Sequence, residues 1–205
     1  MDYQTVSYYS KNAGAIAKRY EAVVNSLSES FQVAFKLKSK LLDIGCGSGR
    51  DLALLVSLGH DCFGLDATPE LVELSQTLHP ELKGKIVQGA LPDFDPPFGG
   101  KFDGILCSAV LMHIPEDQLV TAAVSIKRCL KKGGRLLYSV PCKRLDVVTE
   151  NRDANGRLFI PDQSDRLQTI FEQRDFSLIS KWVNADSLGR DSVEWISVLM
   201  ELTGD

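Results

Sequence analysis

The stretch Leu41-Leu42-Asp43-Ile44-Gly45-Cys46-Gly47-Ser48-Gly49 decides how this chain folds. Apolar residues of strand length run into a turn with three glycines, and residues 51–58 beyond it carry helical spacing. A strand that meets a helix through such a turn is the opening unit of a βαβ crossover. Working outward, residues 61–65, 85–88, 102–108 and 135–140 read as further strands. Between them, residues 70–78, with Thr68 as N-cap and Pro69 at the first helical position, and residues 116–130 read as helices, and Lys132-Gly133-Gly134 as a turn. Strands alternating with helices predict a parallel sheet covered on both faces. Upstream, residues 7–37 read as one or two helices, on the spacing of Ala15, Ile16, Tyr20, Val23, Val24 and Leu27. Downstream, residues 142–165 are polar and predict a long loop or insertion. A helix over 164–173 follows, then two strands over 176–183 and 192–202, joined closely enough to pair antiparallel.

The chain has 205 residues, 44% apolar and 24% charged, with a net charge of -4. That suits one domain over residues 1–205: a helical cap over 1–37, a ligand-binding core over 38–141, and an insertion with a C-terminal hairpin over 142–205. The acidic balance argues against a nucleic-acid partner, since phosphate backbones need a basic face. No apolar run is long enough to span a bilayer, and the start lacks the order of a secretory signal, so a cytoplasmic location and no membrane association are expected. Five cysteines without a C-x-x-C predict neither a disulfide framework nor a metal site.

The chemistry lies around the glycine turn. Glycines let a ligand touch the backbone where a Cβ would collide, and ligands of open parallel sheets bind at the carboxyl ends of the strands. Asp66 closes the second strand, where a carboxylate can accept both hydroxyls of a ribose. The nicotinamide fingerprint G-x-G-x-x-G/A requires Gly or Ala where Arg50 stands, and no phosphate-loop G-K-[ST] is present. Asp43, two residues ahead of Gly45, suits an ammonium group and suits a pyrophosphate badly. Arg50 could answer a carboxylate, or be an ordinary solvated residue of the first helical turn. Ammonium, carboxylate and ribose together describe S-adenosylmethionine.

Asp43–Gly49 and Asp66 resemble the first two motifs of the class I S-adenosylmethionine-dependent methyltransferases. Gln88-Gly89-Ala90-Leu91-Pro92 is similar to the adenine-contact loop of that family, 102–108 to its fourth strand, and Leu130-Lys131-Lys132-Gly133-Gly134-Arg135-Leu136 to the approach to its fifth. Tyr9-Ser10, Asn12-Ala13 and Tyr20 resemble the N-terminal helix of small-molecule members. The resemblance implies a Rossmann-like α/β sandwich with a seven-stranded sheet in the order 3-2-1-4-5-7-6, strand 7 antiparallel. It implies a cofactor site of Tyr9, Tyr20, Asp43, Gly45, Cys46, Gly47, Gly49, Arg50, Asp66, Ala67, Gly89, Ala90, Leu91 and Cys107, with no metal. It also implies methyl transfer to a small-molecule acceptor; a non-catalytic S-adenosylmethionine-binding protein and an enzyme acting on protein or RNA are the other readings. Many members place an acid after the third strand to hold the adenine amino group. Here that contact falls to backbone groups or to Asp93.

His113, after the fourth strand, reads as a general base or as a structural histidine. Arg190, with Trp195 beyond it, reads as a contact for an anionic substrate or as part of a hairpin loop. Asp95-Pro96-Pro97-Phe98 has the composition of an adenine-amino methyltransferase motif but precedes the fourth strand, so it reads as a proline-rich loop. Val140-Pro141-Cys142 stands without a supporting second motif.

Overall fold

The computed structural model describes residues 1–23 and 26–204, so Val24 lies outside the described residues. Two helices open the chain, α1 (Tyr3–Lys11) and α2 (Ala13–Glu21), followed by the short α3 (Phe31–Ala34). β1 (Lys40–Ile44), α4 (Arg50–Ser57), β2 (Asp61–Asp66), α5 (Pro69–Leu78), β3 (Ile86–Gln88), β4 (Phe102–Ser108) and α6 (Leu119–Cys129) then alternate as the sequence predicts. Gly49 adopts φ +86° as N-cap of α4, a conformation that costs glycine nothing. Pro69 starts α5, where its missing N–H is no loss.

The sheet runs β3-β2-β1-β4-β5-β9-β8. In chain order its seven strands therefore stand as 3-2-1-4-5-7-6, as expected. β1 pairs in parallel with both β2 and β4, which puts it at the centre. β9 (Val193–Leu202) runs antiparallel to both β5 (Leu130–Arg144) and β8 (Phe176–Ala185).

Successive side chains of the central strands bury into opposite layers. Leu42, Ile44, Ile105 and Tyr138 pack with α6 and with Leu167, Ile170 and Phe171 of α7 (Ser164–Glu172). Leu41, Leu106 and Leu137 pack on the other face with Leu52 and Leu55 of α4 and with Leu27, Phe31 and Phe35. Burial on both faces explains why β1 reads as a continuous apolar run rather than an alternating one. Each fully buried leucine here contributes about 1.5–3 kcal/mol.

Two expectations change. Lys132-Gly133-Gly134 is not a separate turn but a bulge within β5, where the register jumps between Phe102 and Gly104 of β4 and Gly133 takes φ +74°. The 142–165 segment is not a plain loop either. β5 continues through Pro141 to Arg144, and β6 (Val147–Thr149) and β7 (Arg152–Asp153) form a hairpin with Glu150 and Asn151 both at positive φ. Leu158, Phe159 and Ile160 then return to the interior. Polar composition concealed this, because the three apolar residues are too few to show a period.

Candidate functional site

A cavity opens at the carboxyl ends of β1, β2, β4 and β5, beneath α1 and α2. The glycine turn forms its floor. Gly45 (φ +76°) and Cys46 both donate from their backbone N–H groups to the Leu65 carbonyl, at 2.6 and 3.2 Å. A Cβ on Gly45 would come within 2.4 Å of Val110 Cγ2, so only glycine lets the turn after β1 pack against the loop after β4. Gly47 (φ +57°) donates its N–H to Asp66 Oδ2 at 2.9 Å, and Thr68 donates its own to Oδ1 at 2.9 Å. Asp66 is thereby aimed by the backbone of both neighbouring loops, with capacity left for further donors. Burial raises its pKa, against the pull of those two N–H groups.

Asp43 also lines the cavity and is only 3% exposed. No hydrogen-bond donor among the described residues reaches its carboxylate. Burial, then the charges of Asp51 and Asp66, push its pKa well above the usual carboxylate range, with Arg50 opposing them. An acid that faces the cavity with no donor of its own suits a cationic group of a ligand.

Arg50 is largely committed elsewhere. Its Nη1 donates to the Tyr20 and Val23 carbonyls at 3.1 and 3.0 Å, and its Nε and Nη2 donate to Asp51 at 2.9 and 3.2 Å. It ties the start of α4 to the end of α2. Arg19, which the sequence reading missed, also lines the cavity; its guanidinium lies 5.8 Å from the Tyr20 ring centroid. Being one exposed basic residue on a helix, it gave no local signal.

Tyr9, Tyr20, Gly45, Cys46, Gly47 and Ala67 all line the cavity, as do His113, Arg190 and Trp195. Six expected contacts do not. Gly49 faces α5 instead, where a Cβ would stand 3.0 Å from Leu82 and 3.2 Å from Ser75 and His79. Cys107 is fully buried in the core, its thiol pKa raised by burial. Leu91 is a core side chain whose carbonyl accepts from the Met1 ammonium at 2.6 Å. Gly89 donates to the Asp66 carbonyl at 2.9 Å and, with Ala90, stays outside the lining. Asp93 is drawn off by Arg128 at 2.9 Å and Ser125 at 3.2 Å.

His113 is 3% exposed, and its Nδ1 donates to the Leu158 carbonyl at 2.5 Å. A carbonyl only accepts, so Nδ1 carries the proton and Nε2 presents its lone pair to the Tyr9 hydroxyl, 3.4 Å away. Burial brings the His113 pKa down to about 4, with Arg157 and Arg144 adding to the effect. The ring is neutral at physiological pH.

At the far end stand Arg144, Arg157, Phe159, Asp186, Arg190 and Trp195. Asp186 accepts from Arg190 Nε and Nη2 at 2.9 and 2.7 Å and from Trp195 Nε1 at 2.9 Å. Burial works against its charge, yet these donors hold its pKa down at about 2. Arg144 and Arg157 were not singled out in the sequence, because nothing in their spacing joins them.

A sheet of this order, with its cavity at the carboxyl edge beside a glycine turn and a strand-ending acid, is the class I methyltransferase architecture. The chain belongs to the methyltransferase domain family, which matches residues 14–181. It is 31% identical over 122 residues to the ubiquinone biosynthesis O-methyltransferase of Thiobacillus denitrificans, covering 58% of this chain and 47% of that one. Against the enzyme of the same name from Xanthomonas oryzae the figures are 29% over 103 residues, 49% and 42%. The chain thus spans less than half the length of these curated relatives. Among solved structures it resembles the 1,6-didemethyltoxoflavin-N1-methyltransferase of Burkholderia thailandensis, with TM-score 0.74 and 18% identity over 98% of this chain and 88% of that one. A TehB-like methyltransferase from Corynebacterium glutamicum gives 0.70 and 20%, over 93% and 97%.

Proposed function

We propose that residues 1–205 act as one domain that transfers the methyl group of S-adenosylmethionine to a small-molecule acceptor. The observation that carries this is Asp43, a buried carboxylate facing the cavity with no donor of its own, set beside Asp66 and a turn with three glycines. The residues present fit the cofactor. Asp43 takes its ammonium group, Asp66 its ribose hydroxyls, and Arg19 its carboxylate, while Gly47 leaves room between the turn and the Tyr20 ring. When bound, S-adenosylmethionine supplies an electrophilic methyl group attached to a sulfonium.

The rest is positioning, which in aligned reactions is worth about 7–11 kcal/mol. Tyr9 and Tyr20 close over the cavity and exclude water. His113 Nε2 accepts from the Tyr9 hydroxyl and so orients it on the cavity wall, while burial keeps the ring neutral. A cavity roofed by two helices favours a small acceptor over a macromolecular one. Among the described residues no helix is long and apolar enough to cross a membrane, and no cluster of metal-ligating side chains occurs. The test is mass-spectrometric detection of S-adenosylhomocysteine when the protein is given S-adenosylmethionine and a library of small hydroxyl, amine and thiol acceptors. Turnover is expected. A protein that bound the cofactor yet methylated none of them would be a sensor instead.

A further inference from the structure

Three arginines from separate parts of the C-terminal segment converge on the end of the cavity away from the glycine turn. Arg144 ends β5, Arg157 follows the β6–β7 hairpin, and Arg190 lies in the β8–β9 connection. Each is held by one carboxylate through the same two nitrogens. Arg144 donates from Nε and Nη2 to Asp146 at 2.8 and 2.5 Å, Arg157 to Asp153 at 3.0 and 2.6 Å, and Arg190 to Asp186. That arrangement leaves Nη1 of each outside its ion pair. Arg157 Nη1 donates only to the Tyr9 hydroxyl, at 3.4 Å, and no acceptor among the described residues takes Nη1 of Arg144 or Arg190.

Two of the three cations are pressed against one ring: the Arg144 guanidinium carbon lies 3.5 Å and that of Arg157 4.9 Å from the Phe159 centroid. Arg144 and Arg157 are 7% and 9% exposed. Two of the three paired acids, Asp146 and Asp153, stand behind the arginines and do not line the cavity. Asp43, Asp51 and Asp66 line the cavity at the glycine turn together with Arg19 and Arg50, whereas the other end presents three guanidiniums and a single lining carboxylate, Asp186. Each guanidinium is fixed by its own carboxylate, so an anion placed among them meets Nη1 donors already held in place.

We infer that the methyl acceptor carries a carboxylate, received by the arginines Arg144, Arg157 and Arg190 at the far end of the cavity from the cofactor. This rests on the methyltransferase reading and names the acceptor class for the same site. The neighbouring Phe159 and Trp195 rings suit a planar or aromatic body behind that carboxylate.

The experiment titrates the protein calorimetrically, with and without saturating S-adenosylhomocysteine, using matched probes: 4-hydroxybenzoate against 4-hydroxybenzamide, and 3-phenylpropionate against its amide. The arginines are assembled without the cofactor, so the acids should bind about tenfold more tightly than the amides in both conditions, and less tightly as salt is raised. Arg190→Gln should bring the acid-to-amide ratio close to one and leave S-adenosylhomocysteine affinity unchanged; Arg190→Lys should restore part of the preference. Equal binding of acid and amide, or no binding of either at millimolar concentration, overturns the inference. Acid preference in a protein that ignores S-adenosylhomocysteine would uphold the anion site and sink the methyltransferase reading.

Discussion

The two ends of the cavity are built by different means. At the glycine turn the geometry comes from the backbone: Gly45 and Gly47 at positive φ, N–H groups that aim Asp66, and loops close enough that a Cβ on Gly45 would collide with Val110. At the far end it comes from long side chains, three arginines held by carboxylates and aromatic rings. A backbone-built site tolerates few residue types at few positions. A site built from side chains can be rewritten one residue at a time, which suits a half that must change with the acceptor.

Substitutions separate the two ends. Gly47→Val should have the largest effect: branched methyl groups enter the space under Tyr20 at a backbone angle valine resists. S-adenosylhomocysteine affinity should fall about a hundredfold or more, about 2.8 kcal/mol, with the circular dichroism spectrum unchanged. A folded variant with normal affinity would show that the turn does not touch the cofactor. Asp66→Ala should weaken binding about tenfold or more, about 1.4 kcal/mol by calorimetry.

Asp43→Asn should act in opposite directions on binding and on stability. Burial raises the Asp43 pKa above its ordinary 3.8, so its charge destabilises the fold once pH rises through the folded-state value. The variant should therefore melt about 2–4 °C higher at neutral pH, a gain that disappears below pH 3.8, while binding the cofactor about fivefold more weakly. A variant that bound normally would leave the unpartnered acid without a role.

At His113 the effect is one of pH alone. Its pKa falls from 6.5 to about 4 on folding, so its contribution to stability is complete above pH 6.5 and is lost as pH drops towards 4. His113→Gln should flatten the melting-temperature profile across that window, by at most about 1.4 kcal/mol per pH unit. A profile parallel to that of the unsubstituted protein would mean that the ring is not buried and neutral.

What the sequence revealed follows the same division. The alternation of strands and helices, the antiparallel pairing of the last two strands and the glycine turn were legible because they depend on period, spacing and residues without Cβ atoms, whereas the order of the strands in the sheet came from the family resemblance. Gly49 was read as part of the ligand turn because sequence cannot tell a glycine that meets a ligand from one that caps a helix and lets Leu82 approach. Cys107 and Leu91 sit in the right motifs, but their side chains point into the core. The β6–β7 hairpin was hidden because polar turns and short strands share a composition. Arg144 and Arg157 meet only through the path of β5 and that hairpin, so no local pattern announces them.

The roof helices are anchored unequally. Arg50 grips the end of α2 through two backbone carbonyls, while α1 is fastened by the Asp2–Arg152 pair at 2.8 Å and by the Thr5 hydroxyl, which accepts from the Leu158 N–H at 2.9 Å. The Arg152 and Arg50 side chains are 28% and 24% exposed, so dissolved ions reach both clasps alike. α1 thus rests on the β6–β7 hairpin and the segment behind it, so a change in that segment reaches the roof of the cavity through Asp2 and Thr5.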